Sequence, residues 1–322
     1  MPRRRKDRPS KGRKHPVARR IGTGSSFGRK PWWDSNWWLL DQGGHSRDIA
    51  CDIGTVGDLA VAAASIRGNS HRYHGERCED SFCFTTGTTA EEGPFLVVVV
   101  GDGLTSASHS AYGSARATYL FANKLASRLS AASGLTDEVF MEASEEVIEE
   151  VRTALKSWAP DDYLAPTETP TDVDPAAFDT TLTFAVLPAR TTAPEELRTL
   201  RWGTIGDSPI FKLSADGWEK VSTRTDREVI DSATRTLYSA TEISHGGTEL
   251  TNDEVLVLTT DGVGDFLVDS RGTLAVGSDL AERWQRPVGV ESFISDLMFD
   301  LKSADDDRTA VVCWPDRTRH SN

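Results

Sequence analysis

The stretch FLVVVVGDGL (95–104) constrains the fold more than any other part of the chain. An unbroken apolar run rich in β-branched residues reads as a strand buried on both faces. The run stops at Asp102, which lies between Gly101 and Gly103. A carboxylate at the rim of a core is costly to bury unless it is paired or metal-bound. Asp102 is therefore either a turn residue or a ligand, and the rest of the chain has to decide between them.

Two strands are expected before this one, in GDLAVAAASIRG and DSFCFTTG. A helix is expected over 110–131, where Tyr112, Ala115, Tyr119, Ala122 and Leu125 track an apolar stripe. A second helix runs through TDEVFMEASEEVIEEVRTALKSWA, with Thr136 as N-cap, acidic residues in the first turn and Pro160 as the stop. Residues 160–177, rich in Pro, Thr and Asp, read as a loop. Strands return in FDTTLTFAVLP, LRTLRWGTIGD, PIFKLSADGWEKVS, where ADG turns a hairpin, and EVLVLTTDG. A helix around 290–303 and the strand TAVVCW close the chain. Strands, two helices and then strands again predict the α+β class, with helices outside sheets.

Charge divides the 322 residues unevenly. Residues 1–30 hold 12 Lys+Arg and one acidic residue, Asp7. The rest therefore carries 36 − 12 = 24 basic and 49 − 1 = 48 acidic residues, a balance near −24. So acidic a body argues against a nucleic-acid-binding core and suits carboxylates that hold divalent cations. Residues 1–30 read as a disordered basic tail, through which alone contact with nucleic acid or an anionic membrane is expected. Residues 31–54 form a Trp-rich extension. Its Trp32, Trp33, Trp37 and Trp38 staple the segment onto the folded domain, meet a partner or mark a membrane interface, in that order of expectation. No run of 18 apolar residues and no secretory signal are seen, so no transmembrane segment is expected. Cys51, Cys78, Cys83 and Cys313 show no metal spacing, which fits reduced cytosolic thiols.

Acidic residues recur at strand ends: GDG at 101–103, GDS at 206–208, TDG at 260–262 and ADDDRT at 304–309, with Asp80 at the entrance to SFCF. One such ending is ordinary turn chemistry. Several around one core would raise one another's pKa or require a cation. Oxygen-only donors favour Mg2+ or Mn2+ over zinc.

The motifs GNSHRYHGERCEDSF (68–82), VVVVGDGLTSASHSAYGSARA, DTTLTFAVL, GTIGDSPIF, LTTDGVGDFL and SADDDRTAVVCW stand in the order and spacing of a known family. Over about residues 55–315 the chain resembles the metal-dependent protein phosphatases of type 2C, in a bacterial branch with a Gly-x-Ser-His first motif. The resemblance implies a four-layer α-β-β-α sandwich of two antiparallel sheets flanked by helices, filling 55–316 and followed by a short tail, 317–322. It implies hydrolysis of phosphoserine and phosphothreonine in proteins by a metal-activated bridging hydroxide, opposing a Ser/Thr kinase. Asp80, Asp102, Gly103, Asp261 and Asp306 become the metal residues for two Mn2+ or Mg2+ ions. Glu79 and Asp207 support them. A third ion is expected near Asp172, Asp174 or Asp179.

Three departures accompany the resemblance. Where many relatives carry a phosphate-gripping Arg, this chain has Gly75, and Arg77, Arg72 or His71 is the expected substitute. Leu104 stands where some relatives have a His acting as general acid, with His109 nearby. Asp179 replaces the glycine of a Gly-Thr-Thr strand. The alternative reading is a pseudophosphatase that binds phosphoproteins or a regulatory partner without turnover.

Overall fold

The computed structural model describes residues 48–156, 174–190, 196–222 and 235–315. The basic tail, the four N-terminal tryptophans, Pro160, Asp172 and the C-terminal tail lie outside them. In chain order the elements are β1 (Ile49–Val56), β2 (Leu59–Ile66), α1 (Asn69–His74), β3 (Ser81–Thr89), β4 (Gly93–Gly101), α2 (Ser110–Ala131) and α3 (Asp137–Lys156). There follow β5 (Leu182–Pro188), β6 (Arg198–Ile205), β7 (Ile210–Ser214), β8 (Gly217–Lys220), β9 (Ser244–Leu250), β10 (Val255–Thr259) and α4 (Asp261–Gly264). The last are β11 (Val268–Asp269), β12 (Gly272–Thr273), α5 (Ala275–Arg283), α6 (Val290–Leu297) and β13 (Arg308–Pro315).

Two antiparallel sheets carry the fold, ordered β1-β2-β13-β10-β7-β8 and β3-β4-β5-β6-β9. Strand β4 explains why they stack. Its Phe95, Val97 and Val99 pack with Ala117, Phe121 and Leu125 of α2 and with Phe140, Val147 and Val151 of α3. Its Leu96, Val98 and Val100 point the other way, onto Val61, Ala63, Leu256, Leu258 and Val311 of the opposite sheet. All six side chains are wholly buried, each stabilising by about 1.5–3 kcal/mol. A strand with two dry faces has no polar alternation to show. On the far side, Ala62, Ala64, Ile66, Ala310, Val312 and Trp314 meet Val276, Leu280, Phe293 and Leu297 of α5 and α6. The layers are helix, sheet, sheet, helix, as expected.

Helix α2 spans the expected 110–131, and the Thr136 hydroxyl accepts from Val139 N at 3.3 Å at the head of α3. The β7–β8 hairpin turns at Ala215 and Asp216, as ADG predicted. Three elements differ from expectation. The folded domain begins before residue 55, because β1 pairs with β2 from Ile49↔Ile66 to Val56↔Leu59. Its residues are mostly exposed, so pairing rather than apolar content makes it a strand. The expected helix over 290–303 ends at Leu297. Strand β9, SHGGTEL, carries no apolar alternation. Its Gly246 is required, since a Cβ there would lie 2.2 Å from Cζ2 of Trp202.

Register gathers the chemistry at one end. Ser81 pairs with Gly101 and Leu182 with Ile205, which brings together the residues flanking those strands: Asp80, Asp102, Thr181 and Asp207. In the other sheet Thr259 pairs with Ala310, so Asp261 and Asp306 emerge side by side.

Candidate metal centre

The end of β4 is tied down by its main chain. Asp102 N donates to the Thr181 hydroxyl at 3.1 Å, while Asp102 O accepts from Thr181 N at 2.7 Å and from the Thr180 hydroxyl at 2.9 Å. Gly103 N donates to Glu79 O at 3.2 Å. A Cβ on Gly103 would stand 2.8 Å from Glu79 O and 2.9 Å from Ser110 Cβ, so this position tolerates only glycine. With the backbone so fixed, the Asp102 carboxylate is left for other partners, and it contacts Asp261.

The opposite sheet supplies the rest. Asp261 opens the single turn of α4, directly after Thr260 at the end of β10. Thr260, wholly buried, donates its hydroxyl to Asp80 Oδ2 at 2.7 Å and accepts from Thr309 N at 3.0 Å. Asp306 Oδ1 accepts from Asp307 N at 2.8 Å.

Electrostatics identify these groups as one cluster. The Asp102 carboxyl is held well above the usual carboxylate range, first by burial and then by Asp80, Asp261, Asp306 and Asp207. Asp80 is raised by burial and by Asp307, Asp306 and Asp261, against the Thr260 hydrogen bond. Asp261 is pushed up to about 6 by burial, Asp306, Asp207 and Asp265. Asp306 is also raised, first by burial. The expected residues Asp80, Asp102, Asp207, Asp261 and Asp306 thus converge. This donor set fits a hard divalent cation: it is oxygen-only, strained by its own charge, and runs from buried Asp80 to solvent-facing Asp306.

A second acidic group lies behind the first. His71, Asp306 and Asp307 bring one nitrogen or oxygen each within 4.8 Å of one another. Asp307 is already committed, however. Its Oδ1 accepts from Gly68 N at 2.6 Å, its Oδ2 accepts from Glu79 N, and His71 Nδ1 lies 2.9 Å from the same Oδ2. This buried pair braces the first motif rather than offering a cation free ligands. Burial lowers the His71 pKa, but Asp307, Glu79 and Asp306 outweigh it and lift it to about 9. Glu79 Oε1 accepts from Ser110 at 2.7 Å, and its Oε2 lies 3.7 Å from His71 Nε2.

The remaining expected residues fall elsewhere. Gly75 adopts φ +77 at the C-terminal end of α1, a left-handed conformation that an Arg side chain would strain. His71 is turned into the brace. Arg72 neighbours Asp48, Arg67 and Asp307, and burial pulls its pKa down. Arg77 is half-buried between α1 and Glu79. His109 stacks on Phe178 with ring centroids 5.3 Å apart. Asp174 caps its own short turn, accepting from Ala176 N at 3.0 Å. Asp179 accepts from Thr180 N and Tyr238 N, both at 3.1 Å, and from the Thr236 hydroxyl. Sequence reasoning missed Thr260 and the His71–Asp307 pair. The Thr preceding Asp261 and the Asp standing in the Asn position were the available signals.

The family model "Protein phosphatase 2C" matches residues 67–297. No curated protein matches the sequence. Among solved structures, the PPM Ser-Thr phosphatase MsPP from Mycobacterium smegmatis in complex with cacodylate is 16% identical, with TM-score 0.48, over 81% of this chain and 99% of that one. PppA, a key regulatory component of T6SS in Pseudomonas aeruginosa, is 17% identical, with TM-score 0.48, over 82% and 99%. RsbX in complex with magnesium is 13% identical, with TM-score 0.45, over 82% and 98%.

Proposed function

The chain belongs to the protein phosphatase 2C family, whose members are metal-dependent Ser/Thr phosphatases, and on that premise we propose that it hydrolyses phosphoserine and phosphothreonine in proteins. The observation that carries this is the charge on Asp102: the groups acting on it most strongly are four further carboxylates. A fold that keeps such repulsion at one end of a rigid core does so at the expense of stability, unless a cation offsets it.

Asp80, Asp102, Asp261, Asp306 and the Gly103 carbonyl would hold two Mn2+ or Mg2+ ions. Bound there, the ions would acidify a water and neutralise charge on the phosphoryl oxygens. The protein's own residues do the rest. Thr260 orients Asp80, and the Thr180 and Thr181 contacts fix Asp102. Glu79, held by Ser110, and Asp207 complete the acidic wall. Arg77 offers a guanidinium suited to bidentate contact with a phosphate, replacing the Arg that Gly75 cannot host. Leu104 carries no titratable proton, and the ring of His109 packs against Phe178; the proton for the leaving alkoxide is assigned to water. The substrate is a phosphoprotein made by a Ser/Thr kinase. Four free thiols support a reducing, cytoplasmic setting.

The test is hydrolysis of a phosphothreonine peptide and of para-nitrophenyl phosphate by wild type and Asp102→Ala, with and without Mn2+. Wild type should turn over only with the metal and Asp102→Ala should not. A second reading, a pseudophosphatase, rests on the strained-for-Arg geometry at Gly75. Mn2+ binding without turnover in wild type would establish it and overturn the first. Turnover in Asp102→Ala would overturn the site.

A further inference from the structure

Strand β1 is the outermost strand of its sheet, and one of its faces continues the apolar surface beneath the helices. Ile49 pairs with Ile66, Cys51 with Ala64 and Ile53 with Ala62. Directly opposed residues of an antiparallel pair share a face. Ile66, Ala64 and Ala62 lie in the core beneath α5 and α6. Ile49, Cys51 and Ile53 therefore extend that core sideways, past the helix layer. Among the described residues the cover stops there: Ile49 is 38% exposed, Ile53 53%, and Cys51 is exposed. An apolar strip on an edge strand is a liability that folded proteins cover.

Residue 48 opens the described structure at the head of this strip, and 47 residues precede it. Among them is WWDSNWWLL (32–40), whose Trp33, Trp37 and Leu40 recur at i, i+4 and i+7, the spacing of one apolar helix face. The strip from Ile49 to Ile53 is about 14 Å long. The seven residues 41–47, with Gly43 and Gly44 among them, reach about 23 Å when extended. Tethering at that distance gives an effective concentration on the order of millimolar, which favours this segment over a second copy. We propose that residues 32–40 pack on Ile49, Cys51 and Ile53 beside α6 and cover the outer edge of β1. The proposal is independent of the catalytic reading.

Cys51 lies in the strip and reports on its cover. The full-length protein would be labelled with N-ethylmaleimide under native conditions, and each cysteine followed by peptide mass spectrometry. In wild type Cys51 should react at least tenfold more slowly than in the full-length Trp33→Ser/Trp37→Ser variant. Cys313, 1% exposed, should stay unlabelled in both and so certify the fold. Should Cys313 react in that variant, Ile53→Glu in the wild-type background tests the same contact from the strand side, and again Cys51 should be released. Equal Cys51 rates in wild type and the folded variant overturn the proposal. So does protection that fades on dilution, which assigns the strip to a second copy. Protection that appears only with anionic phospholipid vesicles overturns it as well, in favour of a membrane.

Discussion

Thr260 donates its hydroxyl hydrogen to Asp80 Oδ2 at 2.7 Å, and this bond joins the two sheets at the acidic end of the sandwich. Thr260 follows β10 of one sheet, and Asp80 precedes β3 of the other. The same hydroxyl accepts from Thr309 N. Thr260→Val keeps the volume but orphans one buried acceptor and one buried donor. A loss of about 1–3 kcal/mol in stability is expected, with a 10–100-fold loss in Mn2+ affinity from the released carboxylate. Thermal melts and an Mn2+ titration of activity measure both. An unchanged Mn2+ midpoint would show that Thr260 does not orient Asp80 for a cation.

Asp102→Asn should have opposite effects on the metal-free fold and on function. Removing one charge from a cluster in which Asp80, Asp261, Asp306 and Asp207 all repel it relieves strain. The metal-free variant should therefore melt several degrees above metal-free wild type at pH 7.5, at roughly 2–4 °C per kcal/mol. Mn2+ should stabilise wild type and leave the variant unmoved. A metal-free variant that melts lower than wild type would contradict the electrostatic account of the cluster.

The pKa of Asp261 sets a pH window for that strain. Its folded value of about 6 exceeds the ordinary 3.8, so the folded state holds this proton more tightly than the unfolded chain does. The stability it contributes is present below pH 3.8 and is lost as pH rises through 6, by at most about 3 kcal/mol. Comparing metal-free wild type with Asp261→Asn between pH 4 and 7 isolates this slope, which the variant should lack. Stabilisation by Mn2+ should grow across the same window, because the proton must leave first.

His71 contributes in a higher window. Despite burial, Asp307 and then Glu79 and Asp306 raise it from 6.5 to about 9. Its stabilisation is complete below pH 6.5 and lost as pH climbs through 9. His71→Gln should lose about 2–3 kcal/mol at pH 6 and close to nothing of this ionic part at pH 10. Urea melts at the two pH values decide it, since a loss equal at both would mark His71 as a packing residue only.

The main layers and the cluster of carboxylates were legible in the sequence because each has a local signature. FLVVVVGDGL declared a strand dry on both faces, and the Asp residues at strand ends followed from register once the sheets formed. What stayed hidden depends on distant partners. Strand β1 is a strand because β2 pairs with it, not because CDIGTV alternates. The brace of His71 and Asp307 joins residues 236 positions apart (307 − 71 = 236), and Thr260 meets Asp80 across 180. Gly75 could be read as a missing Arg, but only its left-handed backbone says why Arg is unsuited there.

Asp179 separates a brace from a ligand. Its carboxylate accepts from Thr180 N, Tyr238 N and the Thr236 hydroxyl, while Arg152 holds the carbonyls of Leu237 and Ala240 at 2.6 and 2.7 Å. Residues 236–240 are thus clamped between α3 and the head of β5, beside the Leu104 N that donates to Asp179 O. Asp179→Gly leaves Tyr238 N unsatisfied and should cost about 2–4 kcal/mol. Limited proteolysis should then cut within 235–240, while the Mn2+ dependence of activity stays as in wild type. Asp179→Asn keeps an acceptor and should recover most of the stability. A shift in Mn2+ dependence in Asp179→Asn, with stability retained, would instead make Asp179 a cation ligand.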